Sequence, residues 1–297
     1  MLNSDEHLER ALAEYNEKVS ALEDNGPEEE LLDALVNRGC VLYMMDSFVA
    51  AYGDFDDASE IIARLEDSGK SVDPGLYVKT HMMEGLTLID KSVHEAVGEM
   101  RLAASRLPQL SPGARHFPDA RSIADSCLDC AAALEDADMC ADALPFIDKA
   151  MSQLVGKDDA WSRNRYMEAC GLEGEALEDA GDKEKAMENY SEEVRVGEDL
   201  RSKNELEDPL QLADAYLGCA GLREGEEYIP YAQKAAEIME ELNSRHALDD
   251  PQLLSGLYGD IARAYMSLHR MKEAEQYLMK QVKMSIGVDR PGDGSSY

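Results

Sequence analysis

Apolar residues recur along this chain with the three- and four-residue spacing of amphipathic helices, and few segments show the strict alternation of a strand. Short polar breaks with glycine or proline separate the periodic segments, as at the ends of helices. The loops around 107–113 and 156–159 are two such breaks. The pattern predicts an all-α protein of roughly thirteen helices, with residues 5–24 forming a single leading helix.

Small or aromatic residues also recur in pairs that are twelve positions apart. The pairs are Ala131 with Ala143, Gly174 with Ala186, Tyr216 with Tyr228, and Ala262 with Ala274. Small residues allow two helices to approach closely where they cross, so the spacing predicts helix–turn–helix hairpins.

Three hairpins are predicted to begin at an Asp-Pro pair, namely Asp73-Pro74, Asp208-Pro209 and Asp250-Pro251. Aspartate is a preferred N-cap, and proline loses nothing at the first helical position because its missing N–H has no partner there. Gly53 and Gly181 are predicted to lie at the turns inside hairpins.

The most regular unit reads Tyr258-x2-Ile261-Ala262-x2-Tyr265, followed by Ala274-x3-Leu278, and resembles a tetratricopeptide repeat. Equivalent small positions recur about 44 residues apart, which is longer than the usual period of about 34. Together with the segment 206–216, this spacing resembles the longer repeats of the kinesin light chain type. The resemblance implies a right-handed superhelical solenoid of about six repeats plus the leading helix. A more general helical-hairpin solenoid stays open.

The resemblance also sets the expected domain organisation. It predicts one solenoid domain over residues 1–285 and a flexible tail over 286–297. The unit around Gly85 and Ala96 is the weakest match, since His81 and Glu84 occupy places that are usually apolar.

Charge restricts the partners that the chain can bind. The chain has 62 acidic and 29 basic residues, a net charge of −33. Binding to nucleic acid depends on Lys and Arg, so we expect no nucleic-acid partner and favour a basic or amphipathic protein segment. Without a basic leader or a long apolar run, we expect a cytoplasmic protein with no membrane partner. A homo-oligomer stays open.

Candidate chemistry is sparse in the sequence. Cys127, Cys130 and Cys140 have a metal-like or redox-like spacing, but a zinc site would need a second pair or a nearby histidine. The repeat pattern favours packing roles for these cysteines, and the acid-rich runs are interpreted as solvated helix faces. We therefore expect no enzyme activity, no cofactor and no catalytic residues.

A partner segment is predicted to bind in the concave groove of the solenoid. Residues one position after the small crossing residue, or three before it, should face that groove. With neighbours one turn away, the predicted groove residues are Val36, Cys40, Tyr43, Lys79, Met82, Leu86, Leu128, Glu135 and Glu175. The predicted function is a non-enzymatic scaffold or adaptor. Alternatives are a peptide-responsive regulator that changes superhelix curvature or oligomeric state and, more remotely, a metal or redox protein using the three cysteines.

A local basic stretch interrupts the acidic pattern. It consists of Arg101, Arg106, Arg115, His116 and Arg121. One hypothesis is that it docks against the acidic N-terminal region, residues 1–66, of the same chain or of another copy. Ordinary surface charge balance is the other.

Overall fold

The computed structural model describes residues 4–23 and 26–288. Within these residues the regular structure is helical, apart from an isolated bridge between Ala114 and Phe117 and a short 3-10 turn at Leu107–Gln109. None of the described helices is long and apolar enough to cross a membrane. The chain divides after Gly156 into two compact units.

The first unit contains the leading helix and three helical hairpins. Its helices are α1 (Ser4–Glu23), α2 (Glu28–Met44), α3 (Phe48–Asp67), α4 (Pro74–Leu88), α5 (Val93–Arg106), α6 (Ala120–Asp136) and α7 (Cys140–Leu154). Helix α1 packs on α2, and the hairpins are α2/α3, α4/α5 and α6/α7.

The second unit contains three further hairpins, α8/α9, α10/α11 and α12/α13. Its helices are α8 (Ala160–Asp179), α9 (Lys183–Lys203), α10 (Pro209–Gly221), α11 (Tyr228–Ser244), α12 (Pro251–Ser267) and α13 (Met271–Val288). The described residues thus confirm the prediction of about thirteen helices, a leading helix and six hairpins. The predicted tail starts inside α13, and its residues 289–297 lie outside the described residues.

The Asp-Pro pairs begin helices as predicted. The Asp73 carboxylate accepts hydrogen bonds from the backbone N–H groups of Gly75 and Leu76 at the start of α4. Asp208 and Asp250 cap α10 and α12 with one such hydrogen bond each, from the N–H groups of Leu210 and Gln252. Each cap satisfies a backbone donor that the helix itself leaves unpaired.

The turns inside the hairpins include one correction. Gly181 has a φ of +81° and forms the turn between α8 and α9, as predicted. The prediction for Gly53 is wrong, because this residue lies inside α3. The turn of that hairpin contains Asp46 at a φ of +57°, a left-handed conformation that aspartate tolerates better than most residues.

Close helix crossing explains the small residues. A Cβ atom at position 39 would lie 2.7 Å from Cε1 of Phe55, and one at position 85 would lie 2.6 Å from Cγ of Met100. Ala131 and Ala143 are fully buried between α6 and α7. Glycine and alanine therefore set the separation of the paired helices.

The basic stretch docks within its own unit on the acidic N-terminal region. Arg106 forms an ion pair with Glu66, while Nε2 of His116 lies 3.2 Å and Nε of Arg115 lies 3.8 Å from Oδ1 of Asp33. These contacts confirm the intramolecular form of the docking hypothesis for Arg106, Arg115 and His116, whereas Arg101 forms its ion pair with Asp142 of α7.

Candidate functional site

The first unit has a surface depression of about 650 Å³. It is formed mainly by α2, α4 and α6, the first helices of the three hairpins. Its lining residues are Cys40, Tyr43, Met44, Phe48, Lys79, Met83, Leu86, Thr87, Ile89, Asp90, Lys91, Asp129, Ala132, Ala133 and Asp136. Four of the predicted groove residues are thus brought together: Cys40, Tyr43, Lys79 and Leu86.

Three predicted groove residues are instead buried. Val36 is 0%, Met82 1% and Leu128 2% exposed, so none presents its side chain at the surface. All three stand three positions before a crossing residue. An α-helix turns by about 100° per residue. A residue three positions before a crossing residue therefore lies about 60° from it around the helix axis, whereas the residue one position after it lies about 100° away. The nearer position falls within the packed seam, and only the farther one opens into the depression.

The remaining two predicted residues lie elsewhere. Glu135 is half-buried on α6 and does not line this depression. Glu175 belongs to α8 in the second unit.

Aromatic and aliphatic side chains are exposed at one end of the depression. The Tyr43 and Phe48 rings meet edge to face with centroids 5.2 Å apart, on either side of the α2–α3 turn. Met44 is 58% and Phe48 42% exposed. An exposed cluster of this kind provides anchoring surface for an apolar side chain of a partner.

Polar groups complete the lining of the depression. Nζ of Lys79 donates a 3.3 Å hydrogen bond to Oγ of Ser126, and Asp90, Asp129 and Asp136 contribute carboxylates. Burial raises the pKa of the Cys40 thiol, which favours its neutral form. The depression is therefore largely apolar, and its charged lining consists of three aspartates and two lysines, Lys79 and Lys91.

Phe48 lines the depression but is not among the predicted groove residues. Its position depends on the turn at Asp46, which brings the start of α3 next to Tyr43. The adjacent methionine pair, Met44-Met45, was the available signal, because methionine is common on adaptable recognition surfaces.

Glu175 lines a second depression of about 610 Å³ in the second unit. Its lining residues are Arg165, Glu168, Gly171, Leu172, Glu175, Tyr190, Glu193, Asp208, Leu210, Gln211, Asp214, Leu217 and Gly218. Five of them are acidic. The sequence singled out Glu175 but gave no indication of Glu193, which comes from the neighbouring helix α9.

Glu193 is only 3% exposed. Nε2 of Gln211 donates to its Oε1 at 3.5 Å, and a Cβ atom at position 171 would lie 2.8 Å from the same oxygen. Gly171 thus leaves the space that the carboxyl group fills. Burial, with the charges of Glu175 and Asp214, raises the pKa of Glu193 to about 9. Burial likewise raises the pKa of Asp214 to about 6.

Of the three cysteines with metal-like spacing, Cys127 and Cys130 pack in the core, whereas Cys140 is half-buried. Cys127 and Cys130 are 0% exposed, and burial raises the pKa of Cys127 to about 12, so its thiol stays protonated at neutral pH. Among the described residues, the donor group that could hold a metal ion is His81, Glu84 and Glu99, and Cys127, Cys130 and Cys140 are not part of it.

Comparisons with known proteins agree with this architecture. Residues 255–285 match the tetratricopeptide repeat family model. The structure is similar to the apo form of RapI, with a TM-score of 0.58 and 13% identity over 95% of this chain and 77% of that chain. It is also similar to aspartyl phosphate phosphatase F from Bacillus subtilis, with a TM-score of 0.55 and 12% identity over 99% and 77% of the two chains.

No curated protein matches the sequence. The two structural likenesses, at such low identity, concern the fold, and the kinesin-light-chain type stays a prediction. The matched repeat occupies α12 and α13, the hairpin whose residues carried the resemblance in the sequence. Residues 255–285 therefore form a tetratricopeptide-like repeat, and with five further hairpins and a leading helix the described residues have a helical-repeat fold.

Proposed function

We propose that this chain is a non-enzymatic protein-binding scaffold. In this proposal, the depression of the first unit holds a short amphipathic segment of a partner protein, with a large apolar side chain in the depression and basic residues beside it. The observation that carries the proposal is the gathering of Cys40, Tyr43, Lys79 and Leu86 around one largely apolar depression.

The apolar part of the depression supports recognition of an aromatic or aliphatic anchor. Tyr43, Met44, Phe48 and Leu86 offer ring faces and flexible methyl groups, which adapt to the shape of an inserted side chain. Burying one anchor in such a place typically contributes most of the affinity of a peptide complex.

Charge supports a basic flank on the partner segment. Asp90, Asp129 and Asp136 outnumber Lys79 and Lys91 in the lining of the depression, and the net charge of the whole chain is −33. Opposite charge on the partner would speed association and orient the segment, whereas an acidic segment would be repelled.

Selection from a displayed library of short random peptides tests this proposal. Peptides enriched on the wild-type protein should combine an aromatic or large aliphatic residue with Lys or Arg. Tyr43→Glu and Leu86→Glu should each weaken binding of a selected peptide by at least about 10-fold, which corresponds to about 1.4 kcal/mol. Added salt should slow association.

Val155→Glu is the matched control, because Val155 is 66% exposed in the same unit and does not line the depression. Circular dichroism checks that all three variants are folded. Equal binding by the wild type and both depression variants, or enrichment of acidic peptides, would refute the proposal.

A further inference from the structure

Helices α4 and α5 bring together three side chains of the types that ligate metal ions. Nδ1 of His81 lies 2.7 Å from Oε2 of Glu99 and 4.0 Å from Oε2 of Glu84. One donor atom from each of the three residues lies within 4.8 Å of the others. This is the hairpin in which His81 and Glu84 occupy places that are usually apolar in the repeat.

Two of the three side chains are buried. His81 and Glu84 are each 4% exposed, while the Glu99 side chain is 25% exposed and leaves one side of the group open to solvent. Oε2 of Glu84 is buried without a hydrogen-bond partner. A buried carboxylate oxygen in this condition costs free energy, so it needs a positive partner or a proton.

The surroundings of the group favour a cation. The charges that act on Glu84 are those of Glu99 and of Asp56 on α3, and both are negative. The Tyr77 ring packs against the His81 imidazole with centroids 4.4 Å apart, which helps to fix the orientation of the imidazole.

We propose that His81, Glu84 and Glu99 bind one divalent cation of the zinc type. One imidazole nitrogen and two carboxylate oxygens form a suitable donor set, and three protein ligands leave a fourth position for water. In a tetrahedral zinc site, ligand atoms about 2.0–2.1 Å from the metal lie about 3.4 Å from one another. The present separations of 2.7 and 4.0 Å from His81 lie on either side of that value, so small side-chain rotations would form the site, with the metal replacing the hydrogen bond between His81 and Glu99.

The site is separate from the peptide-binding proposal, since none of the three residues lines the depression of the first unit. Zinc binding can therefore be tested without a partner. The experiment is calorimetric titration of the full chain, stripped of metal with a chelator, with zinc chloride.

The wild type should bind about one equivalent of zinc. Glu84→Gln and Glu99→Gln should each weaken zinc binding by at least about 10-fold, because an amide oxygen carries no charge. Glu95→Gln is the matched control, since Glu95 is exposed on the same helix α5 and is not part of the group. It should bind zinc as tightly as the wild type.

Thermal unfolding provides a second measurement. Saturating zinc should raise the Tm of the wild type and of Glu95→Gln, but not that of Glu84→Gln or Glu99→Gln. If the folded wild type binds no zinc, the two carboxyl groups share a proton instead and the proposal is wrong. If all variants bind zinc equally, the zinc is bound by surface carboxylates, and the proposal is wrong in that case too.

Discussion

At the scale of single residues, Gly75 allows the backbone of a loop to touch a helix. A Cβ atom at this position would lie 2.1 Å from the carbonyl oxygen of Arg115 and 2.9 Å from its nitrogen. Backbone atoms cannot turn away as a flexible side chain would. Arg115 and His116 belong to the loop that forms ion pairs with Asp33, so this close approach also holds the basic stretch against the acidic N-terminal region.

We expect Gly75→Ala to lower the free energy of unfolding by about 1–3 kcal/mol, because the added methyl group forces the loop from its place. The higher helix propensity of alanine offsets only part of this loss. Gly98→Ala is the control: Gly98 lies in α5 with nothing within 4 Å of its Cβ position, so this change should stabilise by about 0.5–1 kcal/mol. Urea unfolding measures both, and equal effects would contradict the argument.

Glu193 makes stability depend on pH at a single site. Its pKa is about 9 in the folded protein, raised from 4.5 by burial and by neighbouring carboxylates. The folded state therefore keeps a proton that the unfolded state releases above about pH 4.5. Because the folded state binds this proton more tightly, the proton stabilises it. This stabilisation is complete below about pH 4.5 and is lost as the pH rises through about 9.

Glu193→Gln should remove this dependence, because a neutral amide has no proton to lose. At about pH 8 we expect the variant to be more stable than the wild type by on the order of 1–3 kcal/mol, and at about pH 4 the difference should nearly vanish. Denaturant unfolding across this range measures the difference. Glu188→Gln, at an exposed position of the same helix α9, should show no such trend. A constant difference at every pH would point to packing rather than ionisation.

At the scale of helices and hairpins, local signals predicted most of the fold. Asp73, Asp208 and Asp250 mark helix starts because a cap depends only on the next two or three residues. The spacing between Ala131 and Ala143 predicts a hairpin because the crossing residues of paired helices must be small. The prediction of a turn at Gly53 was wrong because a glycine alone does not make a turn. The turn of that hairpin lies at Asp46 instead.

The candidate site was predictable only in part, since its lining depends on neighbouring hairpins. Cys40 and Leu86 line the depression as expected, but Val36 lies in a buried cluster with Leu76 and Met83 of the next hairpin. A single helical segment does not reveal which of its faces a neighbour will cover. The sequence alone shows that His81 and Glu84 are polar residues at usually apolar positions. That they lie next to Glu99 follows only from the packing of α4 against α5.

At the scale of the whole molecule, net charge opposes folding. The 62 acidic residues exceed the 29 basic ones by more than two to one, so the compact state concentrates negative charge. Many ion pairs, such as Arg10 with Glu14 and Lys203 with Asp199, join exposed groups on one helix and each contributes little. Salt should therefore weaken the long-range repulsion between carboxylates by more than it weakens the attraction within the exposed ion pairs.

We expect raising sodium chloride from about 0.01 M to about 0.1 M to increase the Tm, because the screening length falls from about 30 Å to about 10 Å over this range. A gain of about 1 kcal/mol would correspond to about 2–4 °C for a protein of roughly this size. Differential scanning calorimetry measures the shift, and potassium chloride should give the same result if screening is the cause. A Tm that falls with salt would show that attractive pairs dominate, and a shift seen with only one salt would indicate binding of a specific ion.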